Sequence, residues 1–260
     1  MVRILSAAVL IPVFFGCIWL LPSLPLLAVA EAVLLVAFLE YARLARALGA
    51  RVPRAASGAA AAAMCAAVGL GVPLELPLAA ALVGLGALVV GSRAPAPGVL
   101  GDVAAAVFPV VYLGLPLGSF VALHAMAGRE SVMLLLVTIV VSDSAQYFTG
   151  RWFGRHKLSP AISPKKTLEG ALGGVLIAPA VMAIVAQWWL PGRSTGWLLL
   201  VGLALVGLGI AGDLFESLLK RSAGVKDSSA LIPGHGGVLD RIDAMLFAAP
   251  VFYVLLKYGG

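Results

Sequence analysis

"GWLLLVGLALVGLGIAGDLFESLLKR", residues 196–221, decides what kind of protein this is. From Gly196 to Gly212 no residue carries a charge, and then Asp213, Glu216, Lys220 and Arg221 arrive in quick succession. An apolar run ending in charge suits a helix of about 20 residues crossing a hydrocarbon core of about 30 Å. The pattern recurs on both sides, with expected spans near 4–21, 26–42, 55–71, 75–91, 103–124, 131–150, 170–190, 196–219 and 243–258. Over 260 residues the chain is 62% hydrophobic and 12% charged, with a mean hydropathy of +1.06. That is too little polar surface to clothe a water-soluble globule. The sequence predicts an all-α, polytopic integral membrane protein of about nine transmembrane helices, whose backbone groups are satisfied within each helix. The third and fourth spans are the weakest, because "AASGAAAAAMCAAVGLG" is only moderately hydrophobic and "VPLELP" is a tight connection.

Charge placement supports the odd count. With the N-terminus inside and the spans alternating, all but Arg129, Arg193 and Lys257 of the 18 Lys and Arg residues, Arg3 and Arg93 included, fall on the cytoplasmic side. The net charge of +6 then belongs to one membrane face, where it meets membrane lipids with anionic headgroups. Nucleic acid is not an expected partner, since no soluble basic domain or recognition motif is present. Cys17 and Cys65 lie in separate apolar spans without CxxC spacing, which reads as two buried thiols. The opening stretch through Ala30 has the features of a signal peptide, but it is read as a retained first helix because cleavage would invert the charge pattern. Residues 1–130 form N-terminal membrane helices in which only Glu31 and Glu40 are charges deep in a span, and residues 131–260 hold the polar content. Both belong to one integral membrane domain.

Three constellations carry chemistry. In "VVSDSAQYFTGRWFG" (140–154), Asp143 sits near the cytoplasmic end of the sixth span, either facing a polar cavity or hydrated at the interface. In "HKLSPAISPKKTLEGALGG" (156–174), Lys165 and Lys166 precede a small-residue helix start, as a phosphate contact or as ordinary membrane-flanking cations. In "GDLFESLLKR" (212–221), Asp213, Ser217 and Lys220 are spaced i, i+4, i+7, so a carboxylate, a hydroxyl and a cation share one helix face. Downstream, Gly234, Gly236 and Gly237 surround His235 and allow successive N–H groups to point at an anion. Asp240 and Asp243 open the last span, where acids also serve as dipole partners. Several carboxylates beside several cations suit Mg2+ shared with substrate phosphates, which points to phosphoryl or nucleotidyl transfer.

The ordered run Ser217, Lys220-Arg221, Lys226-Asp227, Pro233-Gly234-His235-Gly236-Gly237 and Asp240-Arg241-Ile242-Asp243 resembles the signature of phosphatidate cytidylyltransferases, also called CDP-diacylglycerol synthases. "SDSAQYFTGRWFGRHKLSPAISPKKTLEGALGG" (142–174) resembles a second block of that family, and "GDLFESLLKR" joins the two. The resemblance implies a nucleotidyltransferase of phospholipid biosynthesis that condenses CTP with phosphatidic acid, releasing pyrophosphate and CDP-diacylglycerol. It further implies a homodimer and a Mg2+ centre, with a second metal ion as an option. Carried over by position, Asp213 and Asp240 are the first metal ligands, supported by Asp243 and Asp143. Ser217, Lys220, Lys226 and His235 line the phosphate path, Lys165 and Lys166 meet CTP or the lipid phosphate, and Arg221, Gly236, Gly237 and Arg241 complete the substrate-binding set. Ala244 departs from relatives that carry Ser there. The site is expected at the cytoplasmic face of the inner (plasma) membrane, where CTP and a membrane-held lipid can meet. A transporter of an anionic solute or ion is the alternative, but its acids would be spread through the bilayer depth. An enzyme transferring phosphatidyl groups would begin its motif with Asp-Gly, and no Asp precedes a Gly in this chain.

Overall fold

The computed structural model describes residues 12–92 and 96–259. Arg3, Arg93 and the start of the first expected span lie outside the described residues. After a helical stretch at 12–20, the chain forms α1 (Ser23–Ala47), α2 (Arg54–Gly69), α3 (Glu75–Ser92) and α4 (Val99–Pro109). A π-helical turn (Val110–Gly114) carries α4 into α5 (Leu115–Phe153). A hairpin of β1 (Lys157–Ser159) and β2 (Ser163–Thr167) leads to α6 (Leu168–Trp189), α7 (Thr195–Ser222) and α8 (Leu239–Tyr258). The all-α expectation therefore holds apart from this hairpin.

The structure does not confirm the expected count of about nine spans. Among the described residues four helical stretches are long and apolar enough to cross a membrane: Ser23–Ala47, Val99–Phe153, Leu168–Trp189 and Thr195–Ser222. The physical reasons differ from place to place. The Ala-rich third span is a helix of 16 residues, about 24 Å long, and the apolar part of the fourth, Glu75–Gly91, is also short. The fifth and sixth fall on one continuous stretch interrupted only at Gly128, whose φ of 77° breaks the helical path where a connection was expected. The last helix carries Asp240, Arg241 and Asp243 in its opening turns.

The chain forms two compact units. One comprises Met1–Ala125 with Leu219–Arg241, the other Met126–Leu218 with Ile242–Gly260. In the first unit, α2 packs on α1 and on the π-helical turn. A Cβ at Gly118 would lie 2.7 Å from the Cys65 carbonyl oxygen, and one at Gly114 would collide with that of Ala61. Small residues thus let two backbones touch, which is how helices associate where water offers no driving force. The modest hydropathy of α2 reflects this packing, with Ala61, Met64 and Cys65 at most 1% exposed. In the second unit, Gly170, Gly173 and Gly174 of α6 sit against Gln146, Thr149 and Ser142 of α5 in the same manner. Leu176 and Leu200 remain 72% and 69% exposed. Apolar surface of this extent suits lipid rather than water, and the chain is a membrane protein.

Candidate functional site

The signature run leaves α7 at a glycine. Gly224, with φ of 73°, donates to the Arg221 carbonyl, and the Val225 N–H reaches back to that of Lys220 at 2.9 Å. These two bonds form a Schellman cap, for which a left-handed glycine is the cheapest residue. Further on, Ile232, Pro233, Gly234 and His235 make a tight turn closed by His235 N–H to the Ile232 carbonyl at 2.9 Å. Proline sets its second position, and Gly234 supplies the positive φ of 79° that a type II turn requires at its third. The Ile232 amide then meets the Gly236 carbonyl at 2.8 Å.

This loop closes around carboxylates of the chain itself. Asp240, at the start of α8, accepts from Lys220 Nζ on Oδ1 at 2.5 Å. Its Oδ2 accepts from the Ser228 N–H at 2.9 Å, the Ser228 hydroxyl at 2.7 Å and the Gly237 N–H at 2.7 Å. The Asp240 side chain is 5% exposed and that of Lys220 10%. Burial pushes the Asp240 carboxyl up, but Lys220, Gly237 and Ser228 together outweigh it and hold the group below the ordinary carboxylate range. A second acid joins from α1: Glu40, 2% exposed, accepts from Ser228 and Ser229 hydroxyls and from the Val238 and Leu239 amides. The anion expected over the glycine turn is thus supplied here by Asp240 and Glu40.

The second unit gathers a different cluster. The hairpin pairs Lys157 with Thr167 and Ser159 with Ser163, and its end is tied down twice. Thr167 caps α6 by accepting the Gly170 N–H at 3.1 Å. Glu169 accepts the Arg155 and His156 amides at 3.0 and 3.2 Å and lies 2.6 Å from His156 Nδ1. From this anchored strand Lys166 Nζ reaches Asp213 Oδ2 at 2.5 Å, the two side chains 21% and 34% exposed. Ser217 donates to Asp213 Oδ1 at 3.3 Å, as their i, i+4 spacing predicts. The shared face expected for Asp213, Ser217 and Lys220 is therefore only partly realised, because Lys220 turns to Asp240 and Lys166 takes its place.

The remaining candidates are dispersed. Asp143 is exposed on α5, accepts from the Gln146 amide at 3.4 Å and lines a cavity with Gly209, one turn before Asp213. Asp243 caps its neighbour's amide at 2.8 Å, and its carbonyl would lie 2.5 Å from a Cβ at Gly212. Lys165, Lys226 and Arg241 are exposed, Arg221 donates to the Val225 carbonyl at 3.0 Å, and His235 is half-buried in its turn.

Among the described residues no group of three or more His, Cys, Asp or Glu side chains is placed to enclose a metal ion. The donors nevertheless suit a hard cation that keeps waters and shares its coordination with phosphates, since such an ion needs only one or two carboxylates. Asp213 fits that role, being accessible and held by Lys166 and Ser217. Asp240 does not in this conformation, with four donors on its two oxygens. Glu40 is the residue that reading the sequence missed. Its signal was present, as an acid in an otherwise apolar helix, but nothing local names its partners, 188 residues away at Ser228.

Comparison with known proteins identifies the family. A family model described as the cytidylyltransferase family matches residues 1–259. A phosphatidate cytidylyltransferase of Helicobacter pylori is 41% identical over 155 residues, 59% of this chain and 57% of that protein. One from Thermotoga maritima is 40% identical over 160 residues, 60% of this chain and 59% of that one. An uncharacterized Escherichia coli protein, YnbB, is 44% identical over 131 residues, 50% of this chain and 44% of its own length. The chain spans about half the length of the curated relatives it matches.

Proposed function

Because the chain belongs to the cytidylyltransferase family, we propose that it is a phosphatidate cytidylyltransferase, converting CTP and phosphatidic acid to CDP-diacylglycerol and pyrophosphate. The observation that carries this is the Lys166–Asp213–Ser217 cluster. Its cation suits a phosphate oxygen and its accessible carboxylate a metal ion, and Asp213 follows the uncharged run 196–212 of α7. Support also comes from the relatives in Helicobacter pylori and Thermotoga maritima that bear this name.

In the reaction, an oxygen of the lipid phosphate forms a bond to the α-phosphorus of CTP. The bond from that phosphorus to the oxygen bridging the β-phosphate breaks, and pyrophosphate leaves with the electron pair. Little covalent chemistry falls to the protein, so its work is positioning and charge stabilisation. Lys166 leaves Asp213 for a phosphate oxygen, and Ser217 keeps the Asp213 carboxylate oriented. Asp213 and Asp143 are the residues that would hold Mg2+, which when bound would supply charge neutralisation to phosphate oxygens. Exposed Lys165 draws the nucleotide in. In the other unit, Lys226 and Arg241 are exposed at either end of a loop, residues 226–240, that is read separately as nucleotide-contacting, and Asp240 with Lys220 maintains its glycine turn. CTP is cytosolic and phosphatidic acid is held by its acyl chains, so the cluster faces the cytoplasm at the inner membrane.

The test is purified protein in detergent with CTP, phosphatidic acid and a titrated divalent cation, followed by release of pyrophosphate and appearance of CDP-diacylglycerol. Product that requires both substrates supports the assignment. Absence of product with every cation, alongside solute flux in sealed vesicles, would replace it with the transporter.

A further inference from the structure

Resting on the reading of residues 226–240 as a nucleotide-contacting loop, we infer that Glu40 is a positioning residue for the reaction, the means by which the N-terminal half holds that loop in its binding conformation. Glu40 Oε1 accepts from the Ser229 hydroxyl at 2.6 Å and the Val238 N–H at 3.1 Å. Its Oε2 accepts from the Ser228 hydroxyl at 3.0 Å and the Leu239 N–H at 2.8 Å. Each oxygen thus has one hydroxyl and one main-chain amide within hydrogen-bond distance, the single Ser228 hydroxyl proton being shared with Asp240. An ionisable group placed in an apolar helix is costly, and charge-assisted bonds of this number offset that cost.

The contacted residues flank the glycine turn on both sides, so the grip is on the loop's shape. Gly237 belongs to the same device, since a Cβ there would lie 2.5 Å from both Glu40 oxygens. The Ser228 hydroxyl also reaches Asp240 Oδ2 at 2.7 Å, which links the grip to the Lys220 pair. Glutamine in place of Glu40 would turn an NH2 group towards a backbone N–H, opposing two donors in a buried place. A loosened loop spends less time in the binding-competent shape, and apparent nucleotide affinity falls by that fraction. The lipid, held by its acyl chains, is not subject to the same loss.

The experiment uses the full chain in detergent with lipid, as wild type, Glu40→Gln and Ser229→Ala. Glu40→Gln is expected to raise KM for CTP by about 10- to 100-fold, and Ser229→Ala by less than about tenfold, with KM for phosphatidic acid unchanged in both. Hydrogen exchange at the Val238 and Leu239 amides accelerates in Glu40→Gln while α6 and α7 keep their protection. Unchanged exchange at those two amides overturns the inference, as does an equal loss for both substrates. Should Glu40→Gln fail to fold, Ser229→Ala decides through the same two readouts. If the wild type turns over no CTP, the activity assignment fails on its own, and exchange at Val238 and Leu239 still decides whether Glu40 holds the loop.

Discussion

Lys166–Asp213 and Lys220–Asp240 have the same 2.5 Å separation, but the side chains of the first are 21% and 34% exposed and those of the second 10% and 5%. The wet pair is screened by solvent and contributes little to stability, so either partner can exchange the other for a phosphate or a cation. In the buried pair, Asp240 also holds Ser228 and Gly237, and losing one partner would strand the other charge. Distance therefore says nothing about role here. Burial and the number of additional donors separate a pair open to exchange from one locked into its loop.

The sharpest attempt to break this contrast is Asp240→Ala, which takes the Asp240 carboxylate away from the buried Lys220 ammonium. A loss of about 3–5 kcal/mol is expected, read as a fall in the denaturation midpoint together with loss of activity; a stable variant would move Asp240 into the other class. Next comes Asp213→Asn, expected to cut turnover by at least about 100-fold with an unchanged denaturation midpoint, and destabilisation there would erase the distinction. Thr167→Ala tests whether the anchoring of the hairpin matters, by removing the cap of α6 at a cost of about 1 kcal/mol and weakening CTP binding through Lys166. The smallest stability effect belongs to Lys166→Gln, under about 1 kcal/mol, although its turnover should fall well below wild type.

The same contrast marks how far the sequence could be read. Asp213 and Ser217 meet because an i, i+4 spacing places them on one face, and the glycine turn follows from Pro233 and Gly234, so both were legible locally. The partner of Lys220 was not, since helical periodicity gives the face of a side chain and not what packs against it. Lys166 and Glu40 were harder still. Lys166 reaches Asp213 only because Thr167 and Glu169 secure the hairpin, and Glu40 meets its loop across 188 intervening positions. The number of spans was the less legible part, because a window of apolar residues gives neither the length of an Ala-rich helix packed through glycines nor the break at Gly128. The all-α class and the membrane environment depend on composition and on the length of the apolar runs, and both were legible without any long-range contact.

The bond between Glu40 and Ser228 has a consequence for how the chain is made. At about 5–20 residues per second of synthesis, the 188 positions separating the two amount to roughly 10–40 s during which the acid has been translated and its hydroxyl partner has not. Through that interval the early helix must keep its carboxylate near water or lipid headgroups. Its burial against the loop is completed only after Ser228 has been made.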